Sequence, residues 1–249
     1  MDSITTLLAA NPYPGRGIVV GLTPDGANAA MSYFIMGRSA SSRNRRLIDR
    51  GDAVYTQAVD DRIGFVDPSL YLYPAMKVVN GMTIITNGDQ TNTIASYLGR
   101  GRSFEEALRT RSYEPDEPNY TPRISALASV NMGGLSYRVS ILRERGGTTF
   151  RAFYEYTGVA GEGHLIHTYV GDGFPLPPFE GEPFNVGMMD DIDDWTELVW
   201  RSLDRDNRVS LLTRYLNLAS GKTVTKIVNR HDETDETDAT EVITEENAE

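Results

Sequence analysis

The stretch LSYRVSILRERGGTTFRAFYEYTG, residues 135–158, alternates in polarity on both sides of a paired-glycine break. Tyr137, Val139 and Ile141 fall two apart before the break, and Phe150, Ala152, Tyr154 and Tyr156 do so after it. Successive side chains of a strand point to opposite faces, so this spacing predicts strands with one apolar face each. ISALASV before the stretch and HLIHTYVG after it extend a strand-rich block with glycine-containing breaks.

The same reading works outward in both directions. Toward the N-terminus, Ile18 to Leu22 and Ala29 to Met36 are apolar runs joined by TPDG, which predicts a hairpin. AVYTQAV and GMTIITNGDQ are further strand candidates, and NTIASYLGRG predicts a short helix stopped by Gly99. Ser103 and Glu106 have capping-box spacing, so a second helix is expected to start there. Toward the C-terminus, DDIDDWTELVWRSLD predicts a helix capped by Asp193 or Asp194, with Trp195, Leu198, Val199 and Leu203 on one face. RVSLLTRYLNLASGKTVTKIVNR then predicts a closing hairpin around ASGK. Strands at both ends with helices between them favour an α+β class with a largely antiparallel sheet system, in one domain over residues 1–230.

Hydrophobic residues make up 40% of the 249-residue chain and charged residues 24%, as in ordinary globular proteins. No run of eighteen apolar residues argues for a membrane span, and MDSITTLLAANPYPGRG lacks the basic start and long apolar core of a secretion signal. With no cysteine there is no disulfide framework, thiolate metal site or cysteine nucleophile, and a cytoplasmic protein is expected. Residues 231–249 hold nine of the 35 acidic residues and no Lys or Arg, so the formal charge of −11 falls to −2 on the rest. That repetitive tail has little to bury and is expected to be a disordered, solubilising end. Neither the charge nor any aromatic-spaced basic stripe points to a nucleic-acid partner.

Four segments are over-supplied with polar groups. The first is GRSASSRNRR, residues 37–46, which places Arg38, Arg43, Arg45 and Arg46 around Ser39 at the end of a predicted strand. Guanidinium groups, hydroxyls and glycine backbone suit an anion, against the plainer reading of a solvated loop. The second, SLYLYPAMKVVNGMTIITNGDQ, holds Tyr71, Tyr73 and Lys77 and ends in Asn87, Gly88, Asp89 and Gln90. Asn and Gln can read a heterocycle edge or a carboxamide, although NGD is also turn chemistry. The third, RSYEPDEPNYTPRIS, sets Glu114, Asp116 and Glu117 near Tyr120, Thr121 and Arg123, a grouping able to transfer protons or simply to form surface ion pairs. The fourth, GHLIHTYVGDGFPLPPFEGEP, supplies His164 and His167. Their spacing puts the rings on opposite strand faces and argues against a shared metal. Walker, dinucleotide, nucleophile-elbow and H-E-x-x-H signatures are absent.

In this order the segments GRSASSRNR, YPAMKVVNGMTIITNGDQT, YEPDEPNYTPRIS and GEGHLIHTYVGDGFPLPPFEGEP resemble the archaeal-type IMP cyclohydrolases and their bacterial relatives, over most of residues 15–230. The resemblance implies a four-layer αββα sandwich like that of the N-terminal-nucleophile hydrolases, without self-processing. It implies closure of 5-formamidoimidazole-4-carboxamide ribotide to IMP, the last step of purine synthesis, with no metal or organic cofactor. It places Arg38, Tyr73 and Glu114 in the catalytic pocket, with Tyr71 as the alternative tyrosine. Substrate contacts are then expected from Ser39, Arg43, Arg45, Lys77, Asn87, Asp89, Gln90, Asp116, Tyr120, Thr121, Arg123, His164 and His167. A purine-nucleotide-binding protein of the same fold that has lost cyclisation, and an amide hydrolase acting on a related ribotide, are the competing expectations. The strand-rich body leaves room for a homo-oligomer.

Overall fold

A computed structural model describes residues 2–64, 67–132 and 134–232. Of the segment 231–249, expected to be disordered, residues 233–249 lie outside the described residues, whereas His231 and Asp232 are ordered in a helical turn, His231 Nε2 donating to Arg43 O at 3.1 Å and Asp232 accepting from the Asn229 amide at 3.0 Å. After α1 (Ile4–Ala10) the chain forms the predicted hairpin, β1 (Arg16–Leu22) and β2 (Asn28–Met36). The arginine segment contains a single helical turn, α2 (Ala40–Arg43), and runs into β3 (Arg46–Asp49) and β4 (Ala53–Gln57). β5 (Pro74–Val79) and β6 (Met82–Thr86) meet at Asn80-Gly81, both at positive φ, as a two-residue hairpin turn requires. α3 (Gln90–Leu98) and α4 (Phe104–Arg109) follow, then β7 (Arg123–Asn131), β8 (Gly134–Arg145), β9 (Thr148–Thr157) and β10 (Glu162–His167). The chain closes with β11 (Phe184–Gly187), α5 (Ile192–Ser202), β12 (Arg208–Asn217) and β13 (Thr223–Asn229).

The strands make two sheets, ordered β11-β10-β1-β2-β12-β13 and β3-β4-β5-β6-β7-β8-β9. Every named strand pairing is antiparallel, so the class is α+β, as expected from the sequence. Ile18, Val20, Met31, Tyr33 and Ile35 of the first sheet share one buried cluster with Ile124, Ala126, Val139 and Ile141 of the second. The intervening residues Val19, Ala30, Phe34 and Met36 pack outward with Trp195, Val199 and Trp200 of α5 and with Ile4 and Leu8 of α1. β1 and β2 are therefore buried on both faces, which is why they read as continuous apolar runs rather than alternating ones. The outer face of the second sheet packs Ile84, Leu127 and Leu142 against Ile94 and Leu98 of α3 and Phe104 and Leu108 of α4.

The capping box at α4 forms in both directions, with Ser103 Oγ accepting from Glu106 N at 3.1 Å and Glu106 Oε2 accepting from Ser103 N at 2.8 Å. The cap of α5 is neither Asp193 nor Asp194 but Asp191, whose carboxylate accepts from the amides of both. Asp193 and Asp194 lie one turn in, where their charge favours the positive end of the helix. The two sheets are tied at one side by Asn229, whose side chain accepts from Leu47 N at 2.9 Å and donates to Leu47 O at 3.3 Å. Among the described residues no helix is long and apolar enough to cross a membrane.

Candidate functional site

The arginine segment leaves β2 at Gly37, and its serines are spent locally. Ser39 Oγ accepts from Ser42 N at 3.1 Å, while Ser42 Oγ accepts from Ser39 N at 2.9 Å and closes the turn of α2. Three of the four guanidinium groups diverge in use. Arg43 donates to Gly37 O at 2.9 Å and to Asn207 Oδ1 at 3.2 Å, so it holds the loop. Arg38 lies 4.8 Å over the Tyr13 ring and is ion-paired with Asp172. Arg45 is fully buried; its Nε donates to Ser42 O at 3.0 Å and its guanidinium stands 5.2 Å from the Tyr71 ring. Both of its terminal nitrogens are buried without a hydrogen-bond partner. Burial and the neighbouring Arg16 charge depress its pKa.

Arg16 enters from the start of β1. Gly15 precedes it at φ +75°, and a side chain there would overlap Thr168 Oγ1 and the Tyr169 ring, so only glycine allows the chain this approach. Arg16 N donates to Thr168 Oγ1 at 3.1 Å and its guanidinium to Met36 O at 3.0 Å. Arg16 and Arg45 share the neighbours Tyr73, Tyr13 and Tyr33. A cavity of about 190 Å³ opens among Tyr13, Arg16, Arg38, Ser39, Ser42 and Tyr71 on one side and Asp116, Asn119, Thr121, Tyr169 and Leu176 on the other.

The acidic wall comes from the proline-broken segment after α4. Glu114 N donates to Thr121 O at 2.9 Å, closing a loop that carries Asp116 at its bend. Asp116 accepts from Thr121 N at 2.6 Å and from the Thr121 hydroxyl, which is also bonded to the Tyr169 hydroxyl. Glu114 is buried, and its carboxyl is pushed up to about 8. Burial is the main cause; Arg123, Arg16 and Arg45 oppose it and Asp116 adds to it. Burial also raises Asp116. Behind Glu114, Arg123 donates to Gln90 Oε1 at 2.6 Å and pairs with Asp89 at 2.8 Å and Glu114 at 4.0 Å. Asn87 Oδ1 accepts from Gln90 Nε2 at 3.0 Å and from Ile124 N at 2.9 Å. A side chain at Gly88 would come within 2.5 Å of Arg123 Nη1, so this network needs glycine there.

The structure thus brings Arg38, Ser39, Asp116 and Thr121 to the cavity wall, with Arg45, Tyr73 and Glu114 buried nearby. Asn87, Asp89, Gln90 and Arg123 form the polar network backing Glu114. Other expected contacts stand elsewhere. Lys77 lies within β5, opposite Ala53 and Ile84. Tyr120, at φ 45°, packs its ring against Tyr113. His164 stacks on Tyr156 with ring centroids 3.6 Å apart, and its Nδ1 lies 2.6 Å from the Tyr137 hydroxyl. His167 packs on Phe179, donates from Nδ1 to Tyr169 O at 2.9 Å, and is lowered by burial to about 4.

Tyr13, Arg16, Asn119, Tyr169 and Asp172 were not anticipated. The glycine-flanked arginine in PGRG and the TYVGDG segment are the signals that mark them. Among the described residues no group of three or more His, Asp or Glu could hold a metal.

Buried guanidinium nitrogens without partners, facing hydroxyls and a carboxyl that burial keeps protonated, suit a small anionic ligand with polar atoms on more than one edge. Fold and cavity together define an α+β protein with such a site where its two sheets meet. The profile of the IMP cyclohydrolase-like protein family matches residues 13–221. The chain belongs to this family. It is 30% identical over 130 residues to the IMP cyclohydrolase of Methanococcus maripaludis (strain C7), covering 50% of this chain and 62% of that one. The corresponding protein of Methanosphaera stadtmanae is 32% identical over 130 residues, covering 50% and 61%. That of Methanopyrus kandleri is 34% identical over 120 residues, covering 46% and 58%. The matched segments therefore span about three fifths of these relatives.

Proposed function

We propose that this protein is an IMP cyclohydrolase, closing the formamido group of 5-formamidoimidazole-4-carboxamide ribotide onto its carboxamide with loss of water. The observation that carries the reading is Arg45, a buried guanidinium whose terminal nitrogens have no protein partner, beside a second arginine and a protonated carboxyl. Such a group is destabilising in the empty protein and becomes favourable when an anion arrives.

In this reading Arg45 and Arg16 grip the phosphate, while Arg43 keeps the loop in place. The reacting groups hang from adjacent ring carbons, so holding one conformer exploits proximity, worth about 7–11 kcal/mol in well-oriented intramolecular reactions. The carboxamide nitrogen attacks the formyl carbon, and one of its protons passes to the formyl oxygen. The resulting hydroxyl then leaves as water while the former formamido nitrogen gives up its proton, and the ring becomes that of IMP. Arg38 stabilises charge on the formyl oxygen, Glu114 moves the protons, and Tyr73 donates a hydrogen bond. Acid–base help of this kind contributes about 10²–10⁴-fold.

We also read the packing of α1 and α5, two sheets, and α3 and α4 as the αββα arrangement of the N-terminal-nucleophile hydrolases, supported by one core between the sheets and one outside each. The test of function is the ultraviolet change on adding authentic formamido ribotide, because ring closure alters the chromophore. Formation of IMP is the expected result. Folded protein that binds IMP but forms none overturns cyclisation and leaves nucleotide binding alone.

A further inference from the structure

The two sheets have four edge strands, and three are blunted. β11 is met by Asp2, whose amide donates to Asn185 O at 2.9 Å beside a bridge to Val186. β3 and β13 are joined through the Asn229 amide on Leu47, and β13 also carries Lys226. Lysine and short edge strands are common defences against unwanted pairing.

β9 has none of these defences. It is ten residues long, pairs with β8 in unbroken register from Ser136–Thr157 to Arg145–Thr148, and contains no proline, glycine or lysine. Among the described residues its backbone is hydrogen-bonded outside β8 only where Arg151 donates to Thr149 O. A long, regular, aromatic-rich edge of this kind is a template for another strand.

We propose that β9 pairs antiparallel with β9 of a second copy of this chain, about a two-fold axis at Phe153. The charge pattern selects that occupant and register. With the axis at Phe153, Arg151 lies opposite Glu155 of the second copy and Glu155 opposite its Arg151. Thr149 then faces Thr157, and Phe150 faces Tyr156. Moving the axis one residue either way destroys both charge pairs. Glu155 is 70% exposed and, among the described residues, reaches only Arg138, at 3.1 Å. Arg151 donates to the carbonyls of Leu108, Thr149 and Arg111 and has no carboxylate partner among the described residues. An isologous pairing of this type closes on itself and turns the seven-stranded sheet into one of fourteen.

The test is light scattering on the full chain, with and without Glu155→Arg. A dimer is expected for the parent, and a dimer dissociation constant raised about ten-fold or more in the variant, because like charges then stand directly opposite. Arg151→Glu with Glu155→Arg is expected to restore the dimer. Because Arg151 also holds the end of α4, a second measurement avoids changing it. The chain has no native cysteine, so Thr149→Cys and Thr157→Cys proteins can be treated with a short bismaleimide singly and mixed. Cross-linking only in the mixture is expected. A parent that stays monomeric up to its solubility limit overturns the proposal. So does a dimer insensitive to Glu155→Arg that yields no mixed cross-link.

Discussion

The hydroxyls of Tyr33 and Tyr73 lie 2.7 Å apart, with both rings buried, one on each sheet. Burial, and then Tyr73, raise the Tyr33 pKa well above its ordinary value, and one hydrogen bond joins the two hydroxyls. Replacing either tyrosine with Phe leaves a buried hydroxyl unpaired and is expected to cost about 1–3 kcal/mol of stability. The two variants should differ in turnover, Tyr73→Phe falling well below Tyr33→Phe when both are compared by melting temperature and kcat. Equal kcat losses would make the pair a structural bridge and remove Tyr73 from the chemistry.

Arg45→Met is expected to raise the melting temperature of the empty protein, since it removes a buried charge without a carboxylate partner. The same substitution should abolish the stabilisation that saturating IMP gives the parent. Thermal melts with and without IMP check both halves. A variant that melts lower when empty would show that Arg45 supports the fold rather than a ligand.

The raised pKa of Glu114 makes stability depend on pH in a defined direction. Between the ordinary value of 4.5 and about 8 the folded protein holds a proton that the unfolded chain has released. This contribution is complete below that window and is lost as pH rises through it, with a limiting slope of about 1.4 kcal/mol per pH unit. Glu114→Gln mimics the neutral carboxyl and should flatten the decline in denaturation profiles taken from pH 5 to about 8. It should also lower kcat by about 10²-fold or more through loss of proton transfer. An unchanged pH profile in the variant would mean that Glu114 is ionised in the native state.

Arg38 is held by Asp172 and lies 3.4 Å from Gly173 O, so in the proposed reaction a carboxylate of the protein competes with substrate for its guanidinium. Asp172→Asn is expected to tighten IMP binding several-fold by removing that competitor. Weaker binding in calorimetry would instead make Asp172 the residue that aims Arg38.

Arg38→Ala is expected to lower kcat by about 10²-fold or more, and Arg43→Ala to act mainly on stability through the lost bonds to Gly37 and Asn207. Steady-state kinetics on both proteins separate the two roles. A change confined to KM for Arg38→Ala would leave it a binding group.

Much of the fold was legible because its signals are local. The period-two block around residue 145, the Ser103–Glu106 box and the closing hairpin all depend on neighbours within a few residues. β5 was passed over although Asn80-Gly81 marks its turn, because Tyr71 and Tyr73 drew the segment toward a site. Asp191 was missed as a cap because three acidic residues compete within four positions. The site was legible where polar groups cluster along the chain, at 37–46 and 113–123. It was not legible where geometry is made by tertiary approach. Arg16 is one arginine in a hydrophobic N-terminal hairpin, and only the fold brings it beside Arg45. Lys77, His164 and His167 sit in polar-looking segments, yet their partners here are strand neighbours and aromatic rings, which spacing along the chain does not reveal.

The Asn229 clamp on Leu47 spans 182 residues. The strand it grips begins at Arg46, the last arginine of the 37–46 segment, so that segment is anchored from the far end of the described chain. On a translating ribosome adding about 5–20 residues per second, the anchor trails Leu47 by roughly ten to forty seconds. Throughout that interval the arginines are made but β3 lacks its clamp. The arginine segment and β3 therefore reach their final anchorage only when nearly the whole folded body has been synthesised.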